Sequence, residues 1–164
     1  MRIIGIDPGT AIIGWSIIEE NGGNLTPIAY GHIATEKGLD PADRLCALAD
    51  ELESVLRIHE PQEASVEELF FSTNAKTAIS VAQARGVILL TLRRFGVIIA
   101  GYTPNQVKQS VTGYGSADKR QVQMMTKNIL RLPEIPKPDD TADAIAVAVC
   151  HAFSRKARSV YGNR

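Results

Sequence analysis

The sequence predicts an α/β domain on a mixed five-stranded sheet, an antiparallel meander joined to parallel strands and flanked by helices. Three observations carry that expectation. The segment up to Thr35 holds three β-rich runs parted only by turns, and the remainder alternates two apolar runs with helix-spaced segments. A length of 164 residues with 45% hydrophobic content suits one core of ordinary size.

Arg2 to Ile6 is the first strand. Gly14 to Glu19 and Leu25 to Thr35 form a hairpin, because Asn21-Gly22-Gly23-Asn24 supplies residues that accept positive φ; Gly31 is expected to bend the second arm. Pro41 to His59 sets Leu45, Leu48, Ala49, Leu52, Val55 and Leu56 at helical spacing, and Pro61 closes the helix. Ala64 to Leu69 is the fourth strand. Asn74 caps a long helix whose inner stripe reads Ala75, Ala78, Ile79, Ala82, Gly86, Leu89 and Leu90. Val97 to Tyr102 is the fifth strand, and Thr103-Pro104 opens a short helix that Gly113 and Gly115 break. Ser116 starts the next helix, which runs to Leu130. Pro133, Pro136 and Pro138 then lead to a last helix from Asp140 to Phe153. Residues 1–153 form one domain in this reading, and 154–164 a basic, flexible tail.

Charge separates along the chain. The 18 Lys and Arg balance the 18 Asp and Glu, yet residues 1–70 carry 4 basic against 13 acidic side chains and residues 71–164 carry 14 against 5. The second half therefore suits an anionic partner. The longest apolar runs, such as Val87 to Leu90, fall far short of a membrane span. An early charge at Asp7 leaves no room for a secretory apolar core. Cys46 and Cys150 lie too far apart for a CxxC pair and read as buried small residues in a reducing cytoplasm.

Four carboxylates carry the chemical signal. Asp7 ends the first strand before Pro8-Gly9, and Glu67 ends the fourth, so both stand at the carboxyl edge of the sheet, where open α/β sheets bind ligands. Asp140 and Asp143, three residues apart, share one face at the start of the last helix. Four converging acids without a matching Lys or Arg in these motifs repel one another unless cations sit between them. Hard oxygen donors select Mg²⁺ or Mn²⁺. Two such ions about 4 Å apart form the clamp used in phosphodiester hydrolysis. Taken singly, each acid also has a structural reading: a turn at Asp7, a solvated strand end at Glu67, a cap and helix-dipole pair at Asp140 and Asp143.

Six ordered blocks add a resemblance: Ile4-Gly5-Ile6-Asp7-Pro8-Gly9-Thr10, Val66-Glu67-Glu68-Leu69-Phe70, Gln83-Ala84-Arg85-Gly86-Val87, Gln106-Val107-Lys108-Gln109, Gly113-Tyr114-Gly115-Ser116-Ala117-Asp118-Lys119 and Asp140-Thr141-Ala142-Asp143-Ala144. Together they resemble the RuvC family of Holliday-junction resolvases over the whole chain up to its basic tail. The resemblance implies a ribonuclease H-like fold, a homodimer, and paired metal-dependent nicks in four-way junction DNA. It implies a 5′-phosphate and a 3′-hydroxyl as products, two Mg²⁺ per subunit with Mn²⁺ able to substitute, and partnership with a RuvA–RuvB branch-migration complex. Asp7, Glu67, Asp140 and Asp143 match the family's catalytic, metal-holding acids. Lys108 and Lys119 match basic residues near the scissile phosphate, and Phe70 matches the aromatic at the junction centre.

Several choices stay open at this level. The doublets Asp139-Asp140 and Glu67-Glu68 leave the ligand uncertain by one residue; Asp140 alone makes D-x-x-D-A with Asp143, and Glu67 directly follows the apolar strand. Phe71 competes with Phe70 for the stacking role. Arg85 and Arg120 join Lys108 and Lys119 as candidate DNA contacts, with Ser116 and its helix N-terminus as a further phosphate site. His151 falls two turns after Asp143, where it either approaches the site or holds a surface or core role. The stripe of small residues on the long helix is either a dimer face or a face packed on its own sheet. Two other functions compete. The segment Gly5 to Thr10 also resembles the first phosphate loop of the sugar-kinase, actin and heat-shock ATPase superfamily, and a non-catalytic junction-binding protein would share the basic half.

Overall fold

The computed structural model describes residues 1–9, 11–36, 38–68 and 75–161. Strands β1 (Arg2–Asp7), β2 (Ile12–Asn21) and β3 (Asn24–Ala34) form the meander. Helix α1 (Pro41–His59) then crosses to β4 (Glu63–Glu67), and α2 (Ala75–Arg94) crosses to β5 (Ile98–Tyr102). Helices α3 (Pro104–Thr112), α4 (Lys119–Leu130) and α5 (Asp139–Tyr161) complete the chain. The sheet order is β3-β2-β1-β4-β5, antiparallel through β1 and parallel from β1 to β5. Among the described residues no helix is long and apolar enough to cross a membrane.

Strand alternation divides the core in two. Ile4 and Ile6 of β1 point to α1 and α2, where Leu48, Leu52, Leu56, Ile88 and Leu92 are buried. Ile3 points to the other face, under α5 and its small residues Ala146, Val147, Ala148 and Val149. Small side chains there let α5 lie close to the sheet. A Cβ at Gly5 would strike the Ala144 carbonyl and come within 2.7 Å of Ala148 Cβ, and one at Gly14 would strike the Asp140 carbonyl. Glycine at these two positions is therefore what brings the start of α5 down onto β1 and β2.

Five local expectations are corrected. The buried stripe of α2 is Ala84, Ile88, Thr91 and Leu92; Ile79 and Leu90 are 62% and 52% exposed, because the sheet meets the helix on its opposite side. Gly31 does not bend β3: it stays paired with Trp15, whose ring lies against it, and the irregularity falls opposite Ile17 and Ile18. Helix α4 starts at Lys119, not Ser116, because the Asp118 carboxylate accepts from the Gln121 N–H in a reciprocal capping box. Its cap is thus already occupied by an anion, which removes the reason to place a phosphate there. Cys46 is exposed on α1, and Cys150 is buried as expected. Helix α5 also continues past Phe153 to Tyr161. The segment Ser154-Arg155-Lys156-Ala157-Arg158 holds no Gly or Pro to stop it, and Arg155 Nε donates to Glu63 Oε1 at 2.9 Å.

Candidate active site

Parallel pairing sets the first two acids side by side. Ile6 of β1 is in register with Val66 of β4, so Asp7 and Glu67 follow at neighbouring strand ends. The Asp7 and Glu67 side chains share a hydrogen bond. Burial is the largest influence on Asp7, and the charges of Glu67, Asp143 and Asp140 add to it; its carboxyl is pushed up to about 8. Burial also raises Glu67, and the hydrogen bond from Asp7 works against that rise. Burial and the neighbouring charges thus favour the protonated form of Asp7, which donates to Glu67.

Helix α5 brings the other two acids to the same edge. Asp140 lies in its first turn, and its Oδ1 would be 3.8 Å from a Cβ at Gly9, so the Pro8-Gly9 turn runs beneath it. Asp143 stands one turn further, its carboxyl raised by burial against the opposing pull of Lys119. Lys119 Nζ lies 2.8 Å from Asp143 Oδ2 and 3.5 Å from Asp139 Oδ2. Burial works against the Lys119 charge, yet its bond to Asp143 and the two aspartate fields hold the ammonium above its ordinary range. A cation does stand beside the acids, contrary to the expectation from the motifs. It arrives from α4, about twenty positions away in sequence, where no local spacing reveals it.

The doublets separate in space. Asp139 is turned outward between Lys119 and Lys137, at 3.5 and 3.7 Å, and the Lys119 charge keeps its carboxyl below the usual range. The Glu68 side chain lies against Gly101 of β5, and its N–H donates to the Tyr102 carbonyl at 2.8 Å. Asp140 and Glu67 are the members that act electrostatically on, or bond to, Asp7.

Among the basic candidates, Lys108 and Lys119 line one groove together with Glu67, Asp143, Pro104, Val107, Val122 and Ala146. Arg85 Nε donates to the Glu67 carbonyl at 3.2 Å, so this arginine also braces the strand end. Arg120 is exposed one position beyond Lys119 and is not a lining residue of that groove. Phe70 and Phe71 lie outside the described residues. His151 is buried in the core, away from the carboxylates: its Nε2 is 2.7 Å from Glu63 Oε2 and its Nδ1 2.8 Å from the Tyr102 hydroxyl. Glu63 and Tyr102 give no sequence signal, being 88 and 49 positions from their partner.

Among the described residues, no three Asp, Glu, His or Cys side chains stand together as a ready-made cation cage. The donor set nevertheless fits a hard divalent cation. Every donor is a carboxylate oxygen, and the mutual repulsion of these acids at Asp7 marks where positive charge is needed.

The family model of the crossover junction endodeoxyribonuclease RuvC matches residues 3–151. Proteins of that name from Brevibacillus brevis and Caldicellulosiruptor saccharolyticus are 52% and 54% identical over 155 residues, covering 94% of this chain and 93% of each relative. The structure of Thermus thermophilus RuvC in complex with a Holliday junction substrate superposes with a TM-score of 0.91 at 32% identity, over 96% of both chains. The match extends over all elements that hold the acids, not over the Gly5 to Thr10 loop alone, which sets aside the two-domain nucleotide-binding alternative. By sequence over nearly its full length and by its ribonuclease H-like fold, this chain belongs to the RuvC family of crossover junction endodeoxyribonucleases.

Proposed function

We propose that the protein resolves four-way DNA junctions by paired, symmetric nicks, each cut hydrolysing one phosphodiester to a 5′-phosphate and a 3′-hydroxyl. The observation that carries this reading is the convergence of four carboxylates: Asp7 and Glu67, bonded to each other at neighbouring strand ends, and Asp140 and Asp143 brought to the same edge by α5. Such a cluster favours replacement of the Asp7 proton by a metal ion. Asp7, Glu67, Asp140 and Asp143 would hold two Mg²⁺, with Mn²⁺ as a substitute. When bound, the ions supply charge stabilisation to the attacking and leaving oxygens. Lys119 and Lys108, on the groove wall, would hold the phosphate that enters it. Arg85, which donates to the Glu67 carbonyl, braces the end of β4 and would also contact DNA. Arg120 would contact the flanking backbone, and Phe70 would stack at the junction centre, worth about 1–3 kcal/mol.

One site per chain makes one nick, so a symmetric pair needs two chains. The outward face of α2 supports a homodimer: Ile79 and Leu90 are exposed there, and nothing stands within 4 Å of a Cβ built at Gly86. Action in the cytoplasm, on junctions supplied by a RuvA–RuvB branch-migration complex, completes the reading.

The test compares labelled four-way junction with linear duplex of the same sequence, each in Mg²⁺ and in EDTA. Paired nicks at symmetric positions on the junction, in Mg²⁺ alone, are expected. No nicks on the junction in Mg²⁺, or equal cutting of the duplex, would overturn the proposal.

A further inference from the structure

Helix α5 carries two of the four acids, yet its contact with the sheet is smooth. Ala144 and Ala148 meet β1 at Gly5 through small apolar side chains, which resist separation better than they resist sliding. Directional bonds fix such an interface. At the meander side, the Ser16 hydroxyl donates to the Ala144 carbonyl at 3.1 Å, and the Thr141 hydroxyl donates to the Gly31 carbonyl at 3.1 Å. Those bonds tie α5 to β2 and β3. Glu67, however, stands on β4.

The tie to β4 and β5 comes from His151. Its ring is buried between Glu63 of β4, at 2.7 Å from Nε2, and Tyr102 of β5, at 2.8 Å from Nδ1. A ring protonated on Nε2 satisfies both partners, donating to the Glu63 carboxylate and accepting from the Tyr102 hydroxyl. Arg155, one turn on, donates to the other oxygen of Glu63 at 2.9 Å. Glu63 begins the strand that ends at Glu67, and Tyr102 is the register partner of Glu67. Both anchors of the ring are thus rigidly connected to that catalytic candidate. His151 follows Asp143 by eight positions, about 12 Å along the helix axis.

We infer that His151 is a positioning residue whose bonds to Glu63 and Tyr102 set the placement of α5 along β4, and so the spacing of Asp140 and Asp143 from Asp7 and Glu67. This inference rests on the reading of those four acids as a metal site. It separates two roles that burial alone leaves joined. If His151 only fills space, His151→Phe conserves ring volume and is tolerated better than His151→Gln. If its bonds position the helix, His151→Gln retains a donor for Glu63 and an acceptor for Tyr102, and it is the better substitute.

The experiment titrates Mn²⁺ into the DNA-free protein by calorimetry and, separately, measures junction affinity in EDTA. His151→Phe is expected to weaken Mn²⁺ binding by about tenfold or more and His151→Gln by at most about threefold, the scale found for groups that orient metal ligands. Junction affinity in EDTA should stay near wild type in both. Tyr102→Phe removes one leg without touching the bond to Glu63, and should give an intermediate loss if His151→Phe fails to fold. Equal Mn²⁺ affinity in folded His151→Phe and wild type, or a Tyr102→Phe protein that binds Mn²⁺ as wild type does, would overturn the inference. Because the Mn²⁺ titration contains no DNA, a wild-type protein that binds Mn²⁺ without cutting junctions would refute the proposed function alone. A wild-type protein that binds no Mn²⁺ would refute both.

Discussion

Lys119, the first residue of α4, places its ammonium 2.8 Å from the Asp143 carboxylate of α5. The contact joins the groove's basic wall to its acidic floor, so a single side chain bears on both phosphate binding and the charge of the acid cluster. Replacement by methionine keeps the apolar stem and removes the charge. Lys119→Met is expected to weaken junction binding and to make the slope of log affinity against log salt shallower by about 1. Cleavage should fall with it. Fluorescence anisotropy at several salt concentrations checks the slope, and an unchanged slope would remove Lys119 from the phosphate contacts.

Asp7 sits at the centre of the acids, bonded to Glu67 and raised by burial and by the charges of Glu67, Asp143 and Asp140. Asp7→Asn removes a charge needed for cation binding while keeping shape. Loss of several kcal/mol of charge stabilisation corresponds to about a thousandfold or more in rate, so single-turnover cleavage should vanish while junction binding in EDTA persists. Retained cleavage would refute the assignment.

The same pair predicts a pH dependence of stability without metal. Asp7 keeps its proton up to about 8 in the folded protein against 3.8 in the unfolded chain, so the folded state binds more protons between those values. The stability linked to that proton is present below 3.8 and is lost as pH rises through about 8. In EDTA, Tm should therefore fall between about pH 4 and pH 8, and Asp7→Asn should flatten the fall. Mg²⁺ should flatten it too, by taking the proton's place. Differential scanning calorimetry at stepped pH decides the matter; a flat wild-type profile in EDTA would contradict it. Glu63 acts on the acid side. Burial pushes it up, but the bonds from His151 and Arg155 outweigh that and hold it below its ordinary value of 4.5. Its contribution is present above that value and is lost as pH falls through the lowered one.

The cap that starts α4 also aims Lys119. Asp118→Ala removes the acceptor for the Gln121 N–H, at a cost of about 1 kcal/mol. For a chain of this size that is a fall in Tm of about 2–4 °C. Junction affinity should drop modestly, because a frayed first turn no longer holds Lys119 over Asp143. Thermal melts and anisotropy on one preparation test both effects.

Ile79 and Leu90, exposed on α2, carry the dimer proposal. A double change, Ile79→Glu with Leu90→Glu, should leave the fold intact and shift the protein to monomer in sedimentation velocity. Junction cutting should then lose its pairing of nicks. A stable dimer in the double variant would move the interface elsewhere.

Much of this architecture is legible in one dimension because its signals are local. Asn21 to Asn24 marks the hairpin, Leu48, Leu52 and Leu56 give the helical period of α1, and Thr103-Pro104 gives the start of α3. Asp7 and Glu67 are legible for the same reason, since each ends an apolar strand. The buried side of α2 is not. Its sequence offers apolar or small residues on two faces, and only the position of the sheet selects Ala84, Ile88 and Leu92 over Ile79 and Leu90. The start of α4 is not legible either: Ser116 and Asp118 are both competent caps, and only Asp118 is placed to bond Gln121.

The sequence by itself determines which residue types are available: four strand-end and helix-start carboxylates, a basic second half, and glycines where backbones must meet. Periodicity, capping chemistry and charge act over a few residues, and a chain displays them without folding. The tertiary structure alone decides how those groups act on one another. It bonds Asp7 to Glu67, pairs Lys119 with Asp143, turns Asp139 and Glu68 away, and buries His151 between Glu63 and Tyr102. These relations link positions tens of residues apart, and their strength comes from burial, which removes the water that would otherwise screen them.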